Sequence, residues 1–322
     1  MSKPKARDAA PAEDLQPGLV VAAFGRHSLV ETDDGRRLIC HPRGKKNQAV
    51  VGDRVLWQAT GDEGSIERLQ ARRNLFYRQD EIRTKSFAAN LDRVLILIAA
   101  EPEFSESQLC RALVAAEAEK ITPIIALNKS DLAQPFAQAW DRLVPYRAMG
   151  YQVLPLSLDP RSVLVQGDGV DVLCAQLQGH TTLVLGPSGS GKSTLINRLL
   201  PGAQVETGEI SQALNSGKHT TTNTRWYWVP ELDQAGQRTA LIDSPGFQEF
   251  GLNHIEPTQL AQCMPDLRQY LGKCKFYNCT HLHEPGCAVL AQVSSDGKTG
   301  TISARRHRIY AQLFEELSQQ RW

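Results

Sequence analysis

The sequence predicts a multidomain protein with a small N-terminal β-barrel, a central α/β domain built on a parallel sheet, and a small α-helical C-terminal domain. Three observations support this prediction: short apolar runs fill residues 18–69, strand and helix patterns alternate from residue 90, and three cysteines lie close together near the C-terminus. We predict a flexible arm at 1–16, the barrel at 17–84, the α/β domain at 85–252 and the helical domain at 253–322.

The overall composition excludes a protein that coats nucleic acid by bulk charge. The 322 residues include 36 Lys and Arg against 35 Asp and Glu, a net charge of +1, so any nucleic-acid contact depends on local basic patches. No apolar run of a secretory signal follows Met1, and the most apolar stretch, 94–100, is too short to span a bilayer. We therefore expect a cytoplasmic protein without membrane contacts.

The predicted barrel consists of short β-like runs separated by turns that contain Gly and Asp. The five runs are 19–22, 27–30, 37–40, 49–51 and 54–57. This spacing is typical of a small barrel of the OB or SH3 type. The basic turn at 43–46 suits phosphate contacts but fits a solvated loop equally well. A basic linker at 72–85 follows, in which Phe76 and Tyr77 either stack on bases or fix the linker to the next domain.

The central domain is predicted from alternating strands and helices. Strands are expected at 93–99, 122–127, 152–156 and 182–185, and helices near 107–116, 137–149 and 170–177. Strands alternating with helices of this length indicate a parallel sheet that is covered on both faces.

A phosphate-binding loop follows the strand that ends at Leu185. Its residues are Gly186, Pro187, Ser188, Gly189, Ser190, Gly191, Lys192, Ser193 and Thr194, and a helical pattern continues to Leu200. This is the G-x-x-x-x-G-K-[ST] motif between a strand and a helix. The glycines let successive backbone N–H groups point at phosphate oxygens. Lys192 is expected to reach the β- and γ-phosphates and Ser193 to bind Mg²⁺, so the predicted ligand is a nucleoside triphosphate.

The tetrapeptide Asn128-Lys129-Ser130-Asp131 directly follows a predicted strand, where ligands of parallel sheets bind. It is the N-K-x-D motif of guanine-nucleotide binders. The Asp131 carboxylate can accept both N–H groups that guanine presents at N1 and N2, and adenine lacks this pair. Asn128 is expected to brace the loop, Lys129 to lie across the base, and Ser157 to support the contact. The alternative is a P-loop ATPase or kinase in which the tetrapeptide is accidental.

The segment Asp243-Ser-Pro-Gly246 ends another apolar strand at 239–243. Asp243 is expected to hold Mg²⁺ through a water, and the Gly246 N–H to contact the γ-phosphate. Ras-like enzymes place a water-orienting glutamine directly after this glycine. Here the residue is Phe247, which cannot orient water, so hydrolysis requires a polar group from elsewhere or is slow without a partner.

The polar segment 209–225 occupies the place of a first switch, a loop ordered by contacts to the γ-phosphate and Mg²⁺. One of its three consecutive threonines is expected on the metal; we favour Thr222, with Thr221 as the alternative. His219 is the candidate to orient the attacking water or to accept its proton. A histidine without a chemical role is the competing interpretation.

The order of these motifs is unusual, because N-K-x-D precedes the phosphate loop instead of following the other motifs. A nucleotide pocket depends on strand ends that meet in space, so joining the old termini and cutting elsewhere preserves it. The central domain is therefore predicted to be a circularly permuted P-loop GTPase domain. The chain after Asp243 then leads directly into the C-terminal domain.

A metal site is predicted near the C-terminus. Cys274, Cys279, His281 and Cys287 lie within one loop, and a set of three thiolates and one imidazole is typical of structural Zn²⁺. His283 competes with His281 as the fourth ligand. Apolar periodicity predicts flanking helices near 258–271 and 303–317. We expect a zinc-binding helical domain.

The combination of these features resembles the ribosome small-subunit-dependent GTPase A family (RsgA, also called YjeQ). The resemblance covers nearly the whole chain after residue 17 and rests on the barrel, the permuted order, 217–222, 243–247 and the Cys/His loop. It implies an OB-fold that binds RNA, a permuted GTPase and a zinc domain, which act late in maturation of the bacterial 30S subunit. Carried over by position, the catalytic histidine is His219 and the zinc ligands are Cys274, Cys279, His281 and Cys287.

The resemblance also implies partners: the 30S subunit and its 16S rRNA, with GTP hydrolysis stimulated by the subunit. We expect a monomer that binds GTP or GDP with Mg²⁺ and one structural Zn²⁺. A GTP-gated rRNA-binding scaffold with little intrinsic catalysis is the alternative function. A nonhydrolysable GTP analogue distinguishes the two, because the affinity of a pure scaffold for the subunit does not depend on the nucleotide.

Overall fold

The computed structural model of the chain describes residues 15–44, 49–80, 84–159, 169–201, 224–244, 250–294 and 301–319. Within these ranges, no helix has both the length and the apolar character that a membrane crossing requires. The predicted N-terminal arm lies almost entirely outside the described residues, and Gln16 already belongs to the first strand. The predicted domain boundaries stay a prediction.

Five strands close into a barrel at the N-terminal end. They are β1 (Gln16–Phe24), β2 (His27–Thr32), β3 (Arg37–Pro42), β4 (Arg54–Thr60) and β5 (Glu63–Leu69). Their order is β1-β2-β3-β5-β4, and β1 also pairs with β4, which closes the sheet. Only the β3–β5 pair among these five strands is parallel. The closed five-stranded barrel confirms the predicted OB-type domain.

Two details of the barrel differ from the sequence prediction. Residues 49–51 form no strand, because the Asp53 carboxylate accepts the Val50 N–H at 2.8 Å and holds a turn there. The strand β5 was missed because Gly64 was assigned to a turn. A Cβ on Gly64 would lie 2.5 Å from the Cys40 sulfur and 2.9 Å from the Trp57 ring, so the glycine lets both side chains fill the barrel interior.

The predicted basic linker is a β-hairpin. Strands β6 (Leu75–Gln79) and β7 (Thr84–Ala89) pair antiparallel. Phe76 and Phe87 are buried and pack against Phe250, with ring centroids 5.6 to 5.9 Å apart. Phe76 therefore fixes the hairpin to the chain that follows Asp243, one of the two roles considered for this residue.

Among the described residues, the central sheet contains six strands. They are β8 (Arg93–Ala99), β9 (Thr122–Asn128), β10 (Gln152–Pro155), β11 (Thr181–Leu185), β12 (Arg225–Trp228) and β13 (Ala240–Asp243). Their order is β10-β9-β8-β11-β13-β12, parallel except for β12. Strand β12 was not predicted from the sequence; it also pairs with β1 at Ala22 and Arg225. Barrel and central domain consequently share one continuous sheet.

Helices cover both faces of the parallel strands. They are α1 (Glu106–Ala118), α2 (Ala133–Arg142), α3 (Val144–Ala148), α4 (Val170–Leu177) and α5 (Lys192–Leu199). Alternate residues of β8 point to opposite faces: Leu95 and Leu97 pack with α4 and α5, and Ile96 and Ile98 with α1. This confirms the predicted α/β domain. The helix expected at 137–149 is two helices, since Leu143 separates α2 from α3.

The C-terminal region has short elements and one long helix. They are α6 (Pro257–Leu260), a 3₁₀ turn at 261–263, α7 (Pro265–Arg268), a 3₁₀ turn at 290–292, the paired strands β14 (Val293–Ser294) and β15 (Ile302–Ser303), and α8 (Ala304–Gln319). The single helix predicted at 258–271 is wrong. Met264 is extended at φ −122° and ψ 104°, as expected for a residue before proline, and this interrupts the helix.

His254 follows the segment that packs on the hairpin, and its burial makes stability depend on pH. Its ring lies 4.2 Å from the Tyr77 ring centroid, and neither ring nitrogen has a hydrogen-bond partner among the described residues. Burial lowers the pKa of His254 from 6.5 to about 4. Because the folded pKa lies below the unfolded one, the unfolded state binds more protons, and stability falls as the pH drops from about 6.5 towards 4.

We expect the His254→Phe variant to lose less thermal stability than the wild type between about pH 7 and pH 5, because phenylalanine keeps the ring contact but does not titrate. Thermal melts at the two pH values measure this difference. Changing the exposed His283 to phenylalanine is the control and should melt like the wild type at both. An equal acid-induced loss in His254→Phe and wild type would contradict the assignment.

Candidate nucleotide site and metal centre

The two nucleotide-binding motifs line the same cavity, although they lie far apart in the sequence. The cavity has a volume of about 850 Å³ and is lined by Asn128, Lys129, Asp131, Leu132, Leu158, Asp159, Pro187, Ser188, Gly189, Gly191, Lys192, Ser193 and Thr194. Its volume lies in the range of small-molecule sites. The N-K-x-D segment follows β9 and the phosphate loop follows β11, and both strands end at the same edge of the sheet.

Asn128 joins the two motifs by hydrogen bonds. Its side-chain amide donates to the Ser190 carbonyl at 3.0 Å, and its Oδ1 accepts the backbone N–H groups of Lys129 at 2.8 Å and Leu158 at 3.1 Å. Asn128 is 4% exposed, so these bonds are shielded from water. Gly191 has φ +103°, and a Cβ there would lie 2.4 Å from Asn128 Nδ2. Asn128 therefore joins the N-K-x-D segment to the phosphate loop.

Asp131 and Ser157 form a second contact between loops. The Ser157 hydroxyl donates to Asp131 Oδ1 at 2.8 Å, and Ser157 is fully buried. Asp131 itself is exposed and lines the cavity. The buried hydroxyl thus orients a carboxylate that remains accessible to a ligand. A supporting contact of Ser157 to the base stays a prediction; in the structure its hydroxyl donates to the Asp131 carboxylate.

Two partly buried charged groups, Lys192 of the phosphate loop and Asp243 at the end of β13, interact electrostatically. Helix α5 begins after Gly191, so its N-terminal N–H groups face the cavity. Lys192 Nζ donates to the Gly186 carbonyl at 3.2 Å. Burial lowers the pKa of Lys192, and attraction to Asp243 partly opposes this; burial also raises the pKa of Asp243, against attraction to Lys192 and Arg225. Both charges are desolvated, which suits contacts with a phosphate and a cation.

Several predicted residues are not part of the cavity lining. Gly186 makes the close backbone turn, since a Cβ there would lie 2.3 Å from the Leu97 carbonyl oxygen. Ser190 is 1% exposed, and its hydroxyl has no partner among the described residues. His219, Thr222 and Gly246, as well as Thr221 and Phe247, lie outside the described residues.

Three lining residues were missed by the sequence analysis. They are Leu132, Leu158 and Asp159. Leu132 directly follows the predicted Asp131, and Leu158 directly follows the predicted Ser157. Their positions next to predicted site residues are the sequence feature that could have identified them. Leu158 and Leu132 add apolar walls near the residues expected to hold the base.

The predicted metal ligands form a compact cluster. The ligand atoms of Cys274, Cys279, His281 and Cys287 lie within 4.8 Å of one another. Cys274 Sγ lies 3.9 Å from Cys287 Sγ, and His281 Nδ1 lies 3.5 Å from both sulfurs. Tetrahedral zinc, with bonds of about 2.3 Å to sulfur and about 2.0 Å to nitrogen, separates two sulfurs by about 3.8 Å and sulfur from nitrogen by about 3.5 Å. The donor set and its spacing therefore fit zinc.

Neighbouring residues hold His281 and its loop in place. His281 has φ +62°, and its carbonyl is 2.7 Å from His307 Nε2, which donates to it. The Glu284 carboxylate accepts the N–H groups of Thr280 at 2.7 Å and Leu282 at 3.2 Å. Burial opposes ionisation of Glu284, but hydrogen bonds from the Thr280 hydroxyl and from the N–H groups of Thr280, Glu284 and His283 lower its pKa well below the usual range. His283, the competing ligand, is exposed and is not in the cluster.

Comparisons with known proteins agree with this architecture. The model of the RsgA GTPase family matches residues 69–253. The small ribosomal subunit biogenesis GTPase RsgA of Variovorax paradoxus is 69% identical over 96% of this chain and 94% of its own length. The protein of the same name from Paraburkholderia phytofirmans is 51% identical over 96% of both chains.

Solved structures show the same fold. YjeQ from Thermotoga maritima superposes with a TM-score of 0.67 at 27% identity, covering 94% of this chain and 99% of that chain. YloQ, described as a circularly permuted GTPase, gives a TM-score of 0.67 at 26% identity and covers 98% of this chain and 99% of that chain. Together with the barrel and the permuted motif order, these similarities show that this chain belongs to the RsgA GTPase family.

Proposed function

We propose that this chain binds GTP and hydrolyses it to GDP and phosphate during late maturation of the small ribosomal subunit, with hydrolysis stimulated by that subunit. The main support for GTP binding is the cavity that the N-K-x-D segment and the phosphate loop line together. The names of the relatives in Variovorax and Paraburkholderia, small ribosomal subunit biogenesis GTPases, support the ribosomal part.

Base and phosphates bind at opposite ends of the cavity in this proposal. Asp131, oriented by Ser157, accepts the two guanine N–H groups, and Asn128 and Lys129 support the base. Residues 186–194 surround the phosphates with backbone N–H groups, and Lys192 neutralises the β- and γ-phosphates. Mg²⁺, when bound, stabilises the charge on the phosphates. Ser193 and Asp243 would hold it, together with Thr222 or its alternative Thr221.

His219 is the proposed catalytic residue. Since Phe247 replaces a water-orienting side chain after Gly246, another polar group has to orient the attacking water. His219 lies in the segment that takes the place of the first switch. Ordering of this segment by the subunit would then accelerate hydrolysis, and assisted GTPases gain about 10³ to 10⁵ in rate.

The zinc cluster is proposed to be structural. Three thiolates and one imidazole leave no open coordination position, so zinc would fold the loop around residues 274–287 and not take part in hydrolysis. The barrel, with the basic turn near Arg43, is proposed to contact 16S rRNA. We further propose a cytoplasmic monomer, since maturing subunits are its partner.

The test is GTP turnover with and without purified small subunits, for the wild type and His219→Ala. We expect stimulation of the wild type by roughly 10³-fold or more, and for His219→Ala unchanged GTP binding with the stimulated increment lost. Normal stimulation of His219→Ala would refute the role of this histidine. If the subunit does not change wild-type turnover, the GTP-gated scaffold becomes the favoured function. Efficient competition of labelled GTP by ATP would instead favour an ATPase.

A further inference from the structure

Two histidines contact each other on the outside of the barrel. His27 begins β2 and His41 lies near the end of β3. These strands pair antiparallel with Ser28 opposite Cys40, so His27 and His41 occupy the next cross-strand position. Cys40 packs inside the barrel, and its neighbour His41 therefore points outward.

The two rings approach through one nitrogen each. His27 Nδ1 lies 3.0 Å from His41 Nδ1, the ring centroids are 4.5 Å apart, and the ring planes differ by 83°. Two imidazoles joined end to end by a straight hydrogen bond of this length would hold their centroids more than about 5 Å apart. The rings therefore meet at an angle, as two ligands of one cation do.

A carboxylate fixes the tautomer of one ring. His41 Nε2 lies 2.7 Å from Glu63 Oε2. An ionised carboxylate only accepts hydrogen bonds, so Nε2 carries the proton and the neutral ring has its lone pair on Nδ1, the atom next to His27. Histidines that bind metals commonly have such an outer partner, because it orients the ring and makes the ligating nitrogen more basic.

The distance between the two Nδ1 atoms suits an ion that binds both. Bonds of about 2.1 Å that meet at a right angle place two nitrogens about 3.0 Å apart, which is the observed distance. Right angles between neighbouring ligands are typical of square-planar and octahedral complexes, and imidazole is a good ligand for Ni²⁺ and Cu²⁺. In a tetrahedral zinc site the two nitrogens would lie about 3.4 Å apart, so the fit to zinc is poorer.

The neighbouring charges also favour a cation. Glu63 adds a negative charge beside His41, and the side chains of these two residues are 52% and 42% exposed, so water can complete the coordination. Arg43 follows two residues after His41, and its guanidinium is paired with Glu67 at 2.6 Å.

We propose that His27 and His41 form a second metal site, which binds one divalent transition-metal ion of the nickel and copper class through the two Nδ1 atoms. Glu63 is the outer hydrogen-bond partner of His41. For this binding a neutral His27 carries its proton on Nε2, so that both Nδ1 atoms present lone pairs. The ion joins the start of β2 to the end of β3. The site shares no residue with the cysteine cluster and does not depend on the proposed function.

The experiment titrates Ni²⁺ into the full-length chain by isothermal calorimetry. The chain has no histidine affinity tag and is loaded with one equivalent of zinc, the metal proposed for the cysteine cluster. We expect the wild type to bind one Ni²⁺ ion. Glu63→Gln should weaken this binding about tenfold, because loss of an outer partner costs about 10- to 100-fold in metal affinity. His27→Gln and His41→Gln remove a ligand and should weaken binding by more than about tenfold.

The chain offers matched controls for both residue types. Glu67 lies on the same strand β5 as Glu63, but its carboxylate pairs with Arg43. His283 is an exposed histidine in another part of the chain. We expect Glu67→Gln and His283→Gln to bind Ni²⁺ like the wild type, and thermal melts check that each variant folds.

The inference is overturned if the wild type binds no Ni²⁺, or if His27→Gln and His41→Gln bind it with wild-type affinity. Equal weakening in Glu63→Gln and Glu67→Gln would show an effect of surface charge and reject Glu63 as the outer partner. If His41→Gln does not fold, His27→Gln and Glu63→Gln decide.

Discussion

Replacing Asp131 with asparagine is expected to weaken GTP binding at least a hundredfold and to transfer the preference of the site to xanthosine triphosphate. Hydrogen bonds to a charged group contribute about 1.5 to 3 kcal/mol each, and the carboxylate is proposed to accept two from guanine. The asparagine amide has one acceptor and one donor. Xanthine keeps the N1–H but has a carbonyl at C2, so its pattern matches the amide and mismatches the carboxylate.

Equilibrium binding of fluorescent GTP and xanthosine triphosphate measures this exchange. Asp159→Asn is the matched control, because Asp159 lines the same cavity and the change is chemically identical. We expect the control to bind GTP within a few-fold of the wild type. Undiminished GTP binding by Asp131→Asn would place the base elsewhere, and equal losses for both nucleotides would indicate a damaged loop.

The cavity of the candidate nucleotide site was the most predictable part of the described structure, because its lining residues follow strand ends. The positions of Asp131 and Lys192 in one cavity follow from the rule that parallel strands end at the same edge of a sheet. The sequence predicted only that Asn128 braces a loop. It does not specify that the Ser190 carbonyl accepts the hydrogen bond from the Asn128 amide. The brace depends on Gly191, whose missing side chain leaves space for the amide.

The less predictable features depend on contacts between distant segments. Strand β12 was missed because it has only four residues, and its pairing with both β13 and β1 is what stabilises it. The interrupted helix at 257–268 carries the apolar periodicity of a continuous one, yet Pro265 forces Met264 into an extended conformation. The ion pair of Arg111 on α1 with Glu316 on α8 had no sequence signal, because an arginine on a helix face does not reveal its partners.

Loss of the metal is expected to have the largest effect on stability. Structural zinc contributes about 10 kcal/mol or more to small metal domains at neutral pH, which equals or exceeds the total stability of many domains. Cys287 and Val289 belong to the same buried core as Tyr310 and Leu313 of α8. We therefore expect His281→Ala to release zinc and to unfold the region around residues 274–287, with loosened packing of α8.

The neighbouring histidine supplies the control. His281 Nδ1 faces the Cys274 and Cys287 sulfurs, whereas His283 is exposed and is not a member of the cluster. For His283→Ala, a colorimetric zinc assay and thermal melting should give about one zinc per chain and a wild-type melting temperature. For His281→Ala, they should give no bound zinc and a lower melting temperature. Loss of zinc from His283→Ala but not from His281→Ala would identify His283 as the fourth ligand.

Loss of the metal should weaken nucleotide binding less than it lowers the stability of the protein. The cavity is built by β9, β11 and the loops after them, and none of its lining residues belongs to the C-terminal region. Since the ion pairs Arg111–Glu316 and Arg305–Glu106 join α8 to α1 of the central domain, we expect His281→Ala at low temperature to bind GTP with nearly wild-type affinity but to lose subunit stimulation. If His281→Ala loses GTP binding as well as zinc, the metal loop supports the fold of the whole chain, because the two regions share one buried core.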